Sequence, residues 1–177
     1  MIVNMTIRPM CLDDIKQAHL IDRLSFALPW SENAFRYEVL ENDRSISRVV
    51  EVAAPGGSPI IVGVIVIWVI LDEAHLATLS VHPEYRRLGV AKSLLTEGLL
   101  LAYQEGALTA TLEVRAGNVS AQLLYDRYGF VQTGYRKRYY RDNLEDALIL
   151  TTDMNAIKDE LLQTHQFQAG AEANAEE

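Results

Sequence analysis

The stretch Val81-His82-Pro83-Glu84-Tyr85-Arg86-Arg87-Leu88-Gly89-Val90-Ala91-Lys92 carries the plainest chemistry in this chain. An alternating apolar run, 75–81, leads into it, and an apolar helical pattern, 90–104, leaves it. A strand therefore ends, a short basic loop turns on one glycine, and a helix begins. The unpaired N–H groups of the first helical turn and the positive end of the helix dipole meet at one spot, which suits a pyrophosphate. Gly89 allows a ligand to approach the backbone with no Cβ in the way. The spacing Arg-x-x-Gly-x-Ala, Arg86 to Ala91, is neither the Gly-x-Gly-x-x-Gly of dinucleotide folds nor the Gly-Lys-Ser/Thr ending of a P-loop. Taken alone, the loop also reads as an ordinary strand-to-helix connection.

The elements that position this loop follow from patterning. A short strand, 5–8, stops at Pro9. Asp13 or Asp14 can cap a helix with Ile15, Ala18, Ile21 and Leu24 on one face, and Ser31 caps a second with Phe35, Val39 and Leu40. Strands at 46–54 and 60–71 flank the turn Pro55-Gly56-Gly57-Ser58-Pro59, and a third strand, 74–81, follows. After the helix at 90–104, a strand at 108–115 places Leu112 and Val114 on one face and Glu113 on the other. Asn118 caps a short helix that Gly129 ends. Two strands, 130–140 and 147–152, close the pattern. An extension at 155–163 and a polar tail follow.

Composition bounds the function. The 177 residues, 49% hydrophobic, support one domain with a core, 1–163, and a polar, acidic, disordered tail, 164–177. The net charge of −8 argues against direct nucleic-acid binding and suits either cationic substrates or simple solubility. Cys11 is the only cysteine, so no internal disulfide is possible and a reducing cytoplasm fits. The four histidines, His19, His75, His82 and His165, lack metal-ligand spacing, so no metal is expected. Residues 1–10 show no signal-peptide pattern, and the most apolar run, 60–71, is too short to span a membrane as a helix.

Two further motifs sharpen the reading. Leu112-Glu113-Val114-Arg115-Ala116-Gly117-Asn118 is followed by Leu123-Leu124-Tyr125-Asp126-Arg127-Tyr128-Gly129-Phe130. Together with the Gly89 loop, Leu28-Pro29-Trp30-Ser31 and Arg138-Tyr139-Tyr140, they resemble the protein N-terminal acetyltransferases of the GNAT superfamily, the bacterial RimI type above all. The likeness runs from about residue 6 to residue 152. It implies an α+β acyl-CoA N-acyltransferase fold: a mixed seven-stranded sheet flanked by about four helices, its fourth and fifth strands splayed around the coenzyme. It implies acetyl-CoA as co-substrate, with no metal. The acceptor would be a protein N-terminus, such as the alanine of a ribosomal protein.

The resemblance also implies roles. Glu113 matches the general base, acting through a water, and Tyr125 the acid that protonates the departing thiolate. A free α-amine, with a pKa of about 7.7–8.0 against about 10.4 for lysine, needs only a moderate base. Leu79, Ser80 and Val81 would serve acetyl-CoA through backbone groups, on a bulged strand in the family. Arg87, Leu88, Gly89, Val90, Ala91 and Lys92 would wrap its pyrophosphate, and Asn118 would bond it or cap its helix. Leu28, Pro29 and Trp30 would face Tyr139 and Tyr140 across the peptide. Glu113 reads otherwise as a solvated strand carboxylate, and the aromatic residues as packing. Acetylation of a lysine side chain or a small amine remains an alternative, as does a non-catalytic acetyl-CoA-binding module.

Overall fold

The computed structural model describes residues 5–53 and 57–173. Seven strands form one mixed sheet in the order β1-β2-β3-β4-β5-β7-β6. These are β1 (Met5–Pro9), β2 (Ser45–Val52), β3 (Ile60–Ile70), β4 (Glu73–Val81), β5 (Thr109–Arg115), β6 (Val131–Tyr140) and β7 (Glu145–Asp153). Five helices join them: α1 (Ile15–Ser25), α2 (Glu32–Leu40), α3 (Val90–Gln104), α4 (Val119–Asp126) and α5 (Met154–Ala173). The order matches the sequence reading up to β7. The turn at 55–59 falls partly outside the described residues.

The long apolar run of β3 is explained by two covered faces. Val62, Ile65, Ile67 and Val69 pack with Leu94, Leu95 and Leu99 of α3. Ile61, Val64 and Val66 pack with Ile15, Ala18 and Ile21 of α1 and Phe35 of α2. Full burial of each such side chain is worth about 1.5–3 kcal/mol, so the sheet's centre anchors the fold. Leu24 and Leu40, expected on the apolar faces of α1 and α2, are exposed. Both sit at helix ends, where the stripe has turned beyond the sheet.

Among the described residues only one strand pair is parallel. β4 and β5 run together from Glu73↔Thr109 to Leu76↔Leu112 and then part. A register shift against β3, between Val66↔Thr78 and Ile67↔Leu76, leaves Ala77 as a bulge at the parting point. The expected bulge therefore lies two residues before Leu79, and it bends β4 away from β5.

The helix count also differs from about four. α5 runs on past residue 163 to Ala173, ten residues into the stretch read as a disordered tail. Its Met154, Ile157 and Leu161 are buried, and its Ala- and Gln-rich continuation is compatible with helix. Residues 174–177 lie outside the described residues.

Candidate active site

A cleft of about 1170 Å³ opens where β4 and β5 separate. Leu28, Trp30, Leu79, Glu113, Asn118, Tyr125, Tyr139 and Tyr140 all line it, although they come from five parts of the chain. Ser80 and Val81 are buried and do not line the cleft. Pro29 is exposed and likewise stands outside the lining. The loop residues 87–92 form a separate feature at the end of β4.

That loop has the predicted form. Gly89 is the residue before α3, with φ at 90°, and no side chain of its own caps the helix. Arg87 shares the left-handed conformation, at 66°. A Cβ placed on Gly89 would meet no atom within 4 Å, so the loop faces open space. Arg87, Leu88 and Lys92 are exposed beside it, while Val90 is buried and anchors the first turn. An uncapped helix N-terminus with two exposed cations suits a pyrophosphate, and the residues present therefore fit acetyl-CoA. Arg86 points elsewhere: its guanidinium donates to the carbonyls of Val81 and Leu24 and to Ser25 Oγ, tying the loop to the end of α1.

Glu113 projects from β5 as the alternation predicts, while Leu112 and Val114 are buried. One carboxylate oxygen lies 3.5 Å from His75 Nε2 on β4 and the other 3.2 Å from a guanidinium nitrogen of Arg136 on β6. It is thus held between two strands at the mouth of the gap. The His75 ring stacks on Trp68, with centroids 5.6 Å apart, and Trp68 stacks on Trp30 at 6.1 Å. An aromatic ladder therefore joins one wall of the cleft to the carboxylate.

Tyr125 comes from the last turn of α4 and is almost fully buried against Phe130, at 5.7 Å between centroids. Burial raises its pKa well above the ordinary phenol value, with the neighbouring Tyr140 adding to the shift. It therefore keeps its proton at neutral pH, as a proton donor must. Burial also pushes Tyr140 up to about 12, against the opposing pull of the Arg115 cation. Asn118 acts as the helix cap: its Oδ1 accepts the N–H of Ala121 at 3.2 Å, leaving its amide nitrogen as the group to donate. Ser31 caps α2 in the same way, through Ala34.

Tyr139 and Tyr140 meet edge to face, 5.3 Å between centroids. They sit where β6 bulges against β7, between the pairs Arg136↔Ala147 and Tyr140↔Glu145. The bulge includes Arg138 at φ 51°, whose N–H donates to Asp146 Oδ1 at 2.8 Å. Arg115 stands within the motif at 112–118, and the sequence alone assigns it no role. Arg115 bonds Asp142, Asn143 and Glu145, while Glu145 also accepts the N–H of Gly117 at 2.6 Å. This network fastens the hairpin to β5. Asp14, read as a cap, instead accepts the N–H of Cys11 and pairs with Arg8. Among the described residues no cluster of three or more His, Cys, Asp or Glu side chains could hold a metal, and no helix is long and apolar enough to cross a membrane.

Comparisons with known proteins bear on the family and the fold. The family model "Acetyltransferase (GNAT) family" matches residues 15–130. A Bacillus subtilis (strain 168) protein is 35% identical over 84% of this chain and 95% of its own, and its name, ribosomal protein bS18-alanine N-acetyltransferase, carries a provisional qualifier. The Escherichia coli (strain K12) enzyme of that name, without the qualifier, is 32% identical over 82% of this chain and 95% of its own. The crystal structure of the ribosomal-protein-S18-alanine N-acetyltransferase from Escherichia coli superposes with a TM-score of 0.74 at 31% identity, covering 85% of this chain and 94% of that one. The Arabidopsis thaliana NAA60 structure in complex with acetyl-CoA shares the fold, with a TM-score of 0.75 at 20% identity over 84% of this chain and 99% of that one. With the family model spanning most of the sheet and relatives above 30% identity along most of their length, this chain belongs to the acetyltransferase (GNAT) family.

Proposed function

We propose that this protein transfers the acetyl group of acetyl-CoA to the free α-amine at a protein N-terminus, with the N-terminal alanine of a ribosomal protein as its substrate in the cytoplasm. The observation that carries this reading is the convergence of Glu113, Tyr125 and two aromatic walls on one cleft between β4 and β5. The loop at Gly89 follows directly from β4 and supplies the place for the pyrophosphate. Leu79, Ser80 and Val81 lie along the strand between, where backbone groups can serve the thioester arm. Arg87, Leu88, Val90, Ala91 and Lys92 complete the loop, and Asn118 donates from the opposite strand's end.

In this mechanism Glu113 accepts the proton of the α-ammonium through a water. The neutral amine attacks the thioester carbonyl directly, in a ternary complex, and the C–S bond breaks as the C–N bond forms. Tyr125 gives its proton to the leaving thiolate, and the second proton lost by the acetylated nitrogen restores the phenol through solvent. This chemistry calls for no metal. Leu28 and Trp30 on one side, in the segment that contains Pro29, and Tyr139 and Tyr140 on the other select the acceptor. Their aromatic faces pack a short first side chain, while the phenols bond peptide backbone.

A thiol-release assay tests the reading with three substrates: Ala-starting peptides, N-blocked peptides containing lysine, and polyamines. Free Ala- or Ser-starting peptides should react fastest, and Leu- or Phe-starting ones slowly. Tyr139→Ala and Tyr140→Ala should raise the peptide KM or lower turnover while acetyl-CoA binding holds. Equal rates on N-blocked lysine peptides would move the assignment to lysine side chains, and a preference for polyamines would move it to small amines. No thiol release from any of them, with acetyl-CoA still bound, would leave only a binding module.

A further inference from the structure

Trp30 stands in an irregular segment between α1 and α2, next to Pro29, which has no N–H to offer. Both of its backbone polar groups are nevertheless held, and by side chains of α1. Its N–H donates to Asp22 Oδ2 at 2.7 Å, and its carbonyl lies 2.8 Å from His19 Nδ1, which therefore carries the donated proton. His19 and Asp22 are three residues apart and so share one face of the helix. Asp22 is fully buried, and its other oxygen accepts the hydroxyl of Thr78, 3.2 Å away on β4 beside the Ala77 bulge. A buried carboxyl with each oxygen assigned to a different segment is a tie between those segments. It joins the acceptor wall to the strand that opens the cleft.

We propose that His19 and Asp22 are positioning residues for the acceptor amine, fixing Trp30 from both sides of its backbone and thereby setting the aromatic ladder that ends at Glu113. The inference rests on the reading of the Leu28-Pro29-Trp30 wall as the acceptor wall. Trp30 stacks on Trp68 and Trp68 on His75, whose Nε2 faces the Glu113 carboxylate. A shift of Trp30 therefore displaces both the wall that selects the first residue and the imidazole beside the carboxylate. The coenzyme loop meets α1 farther on, where Arg86 bonds Leu24 and Ser25, while His19 bonds the Trp30 carbonyl.

The test uses His19, which is only partly buried, so that folding is not at stake. His19→Ala removes the donor, and His19→Asn places an amide N–H near the position of Nδ1. His19→Ala should raise the KM for an Ala-starting peptide about tenfold and weaken the preference for Ala over Leu at the first position. The KM for acetyl-CoA should stay within about twofold of wild type. His19→Asn should restore most of the peptide KM. Asp22→Asn, which keeps one acceptor oxygen, should fall between wild type and Asp22→Ala. Iodide quenching of Trp30 fluorescence in a Trp68→Phe background reads the clamp with no substrate present: His19→Ala should raise quenching and His19→Asn should not. Wild-type turnover on the Ala peptide tests the function assigned above. Should wild type prefer another amine, the same ratios are taken on that amine. An Ala variant with wild-type peptide KM, first-residue preference and quenching overturns the proposal. So does an Asn variant no better than Ala, or an equal rise in the KM for acetyl-CoA.

Discussion

The guanidinium of Arg115 lies over the ring of Tyr140, 3.8 Å from its centroid, while its nitrogens reach Asp142, Asn143 and Glu145. One cation at the end of β5 thus holds both the aromatic wall and the hairpin that carries it. Arg115→Gln should raise the peptide KM several-fold and lower the melting temperature. The same network should give an acid limb to stability. The Arg115 cation holds the Asp142 carboxyl below the ordinary range, and Asn143, the Gly117 N–H and Arg115 do the same for Glu145. A carboxyl depressed in the folded state stabilises above its unfolded pKa, about 4, and that contribution is lost as pH falls through the folded value. Melting curves from pH 7 downward should therefore stay level to about pH 5 and then drop more steeply for wild type than for Arg115→Gln. Parallel curves would show that the network does not carry the hairpin.

Glu113→Gln should lower turnover on a free-amine peptide by about 10²-fold or more at pH 7. Raising the pH supplies neutral amine without a base, so most of that loss should be recovered by about pH 9. The pH–rate profile of the variant decides the matter. A profile with the wild-type shape and comparable rates would remove Glu113 from the proton path.

Tyr125→Phe separates chemistry from packing. Among the described residues no hydrogen bond ties the phenol to a neighbour, so phenylalanine fills the same space and leaves no polar group stranded. Stability should be unchanged within about 0.5 kcal/mol, while kcat falls by about 10²-fold with little change in either KM. A variant with wild-type kcat would show that the thiolate leaves without this proton.

Gly89→Val should weaken acetyl-CoA binding at least tenfold by calorimetry. A left-handed backbone costs a non-glycine residue about 1–2 kcal/mol, and more when the side chain is β-branched. A Cβ at Gly89 meets no atom within 4 Å, so the cost is confined to the loop's own backbone and the fold should survive. Unchanged affinity would sink the assignment of the loop.

Much of the scaffold could be read from the chain because local patterning decides it. The helix at 90–104 and the glycine before it stand where the apolar repeat and the loop chemistry place them. Glu113 could be picked out because a carboxylate interrupts an apolar strand. The rest depends on contacts between distant segments. Asp22 looks like any acidic residue near a helix end until Thr78 and Trp30 close over it. Arg115 shows no role until the hairpin folds back on it. The Ala77 bulge leaves no mark in the alternation of β4, since its cause is the pairing with β3. The length of α5 is not legible in the sequence, because a polar, Ala-rich stretch reads as helix or as tail according to what it docks against.

The parting of β4 from β5 has a mechanical consequence. Strands β1 to β4 form one block and β5 to β7 another, and among the described residues strand pairing joins them through four residue pairs, Glu73↔Thr109 to Leu76↔Leu112. α5 follows the second block yet lies on α3, which packs against the first. Tyr103 reaches Asn155, and Glu97 pairs with His165 at 2.9 Å. The last helix is therefore a brace across the seam. Force that spreads the two strands is shared by helix against helix elsewhere in the molecule, and a chain ending before Met154 would leave the four pairs, the Asp72 carbonyl that accepts from Leu108 and Thr109, and the Tyr128 hydroxyl on α3 to bear it.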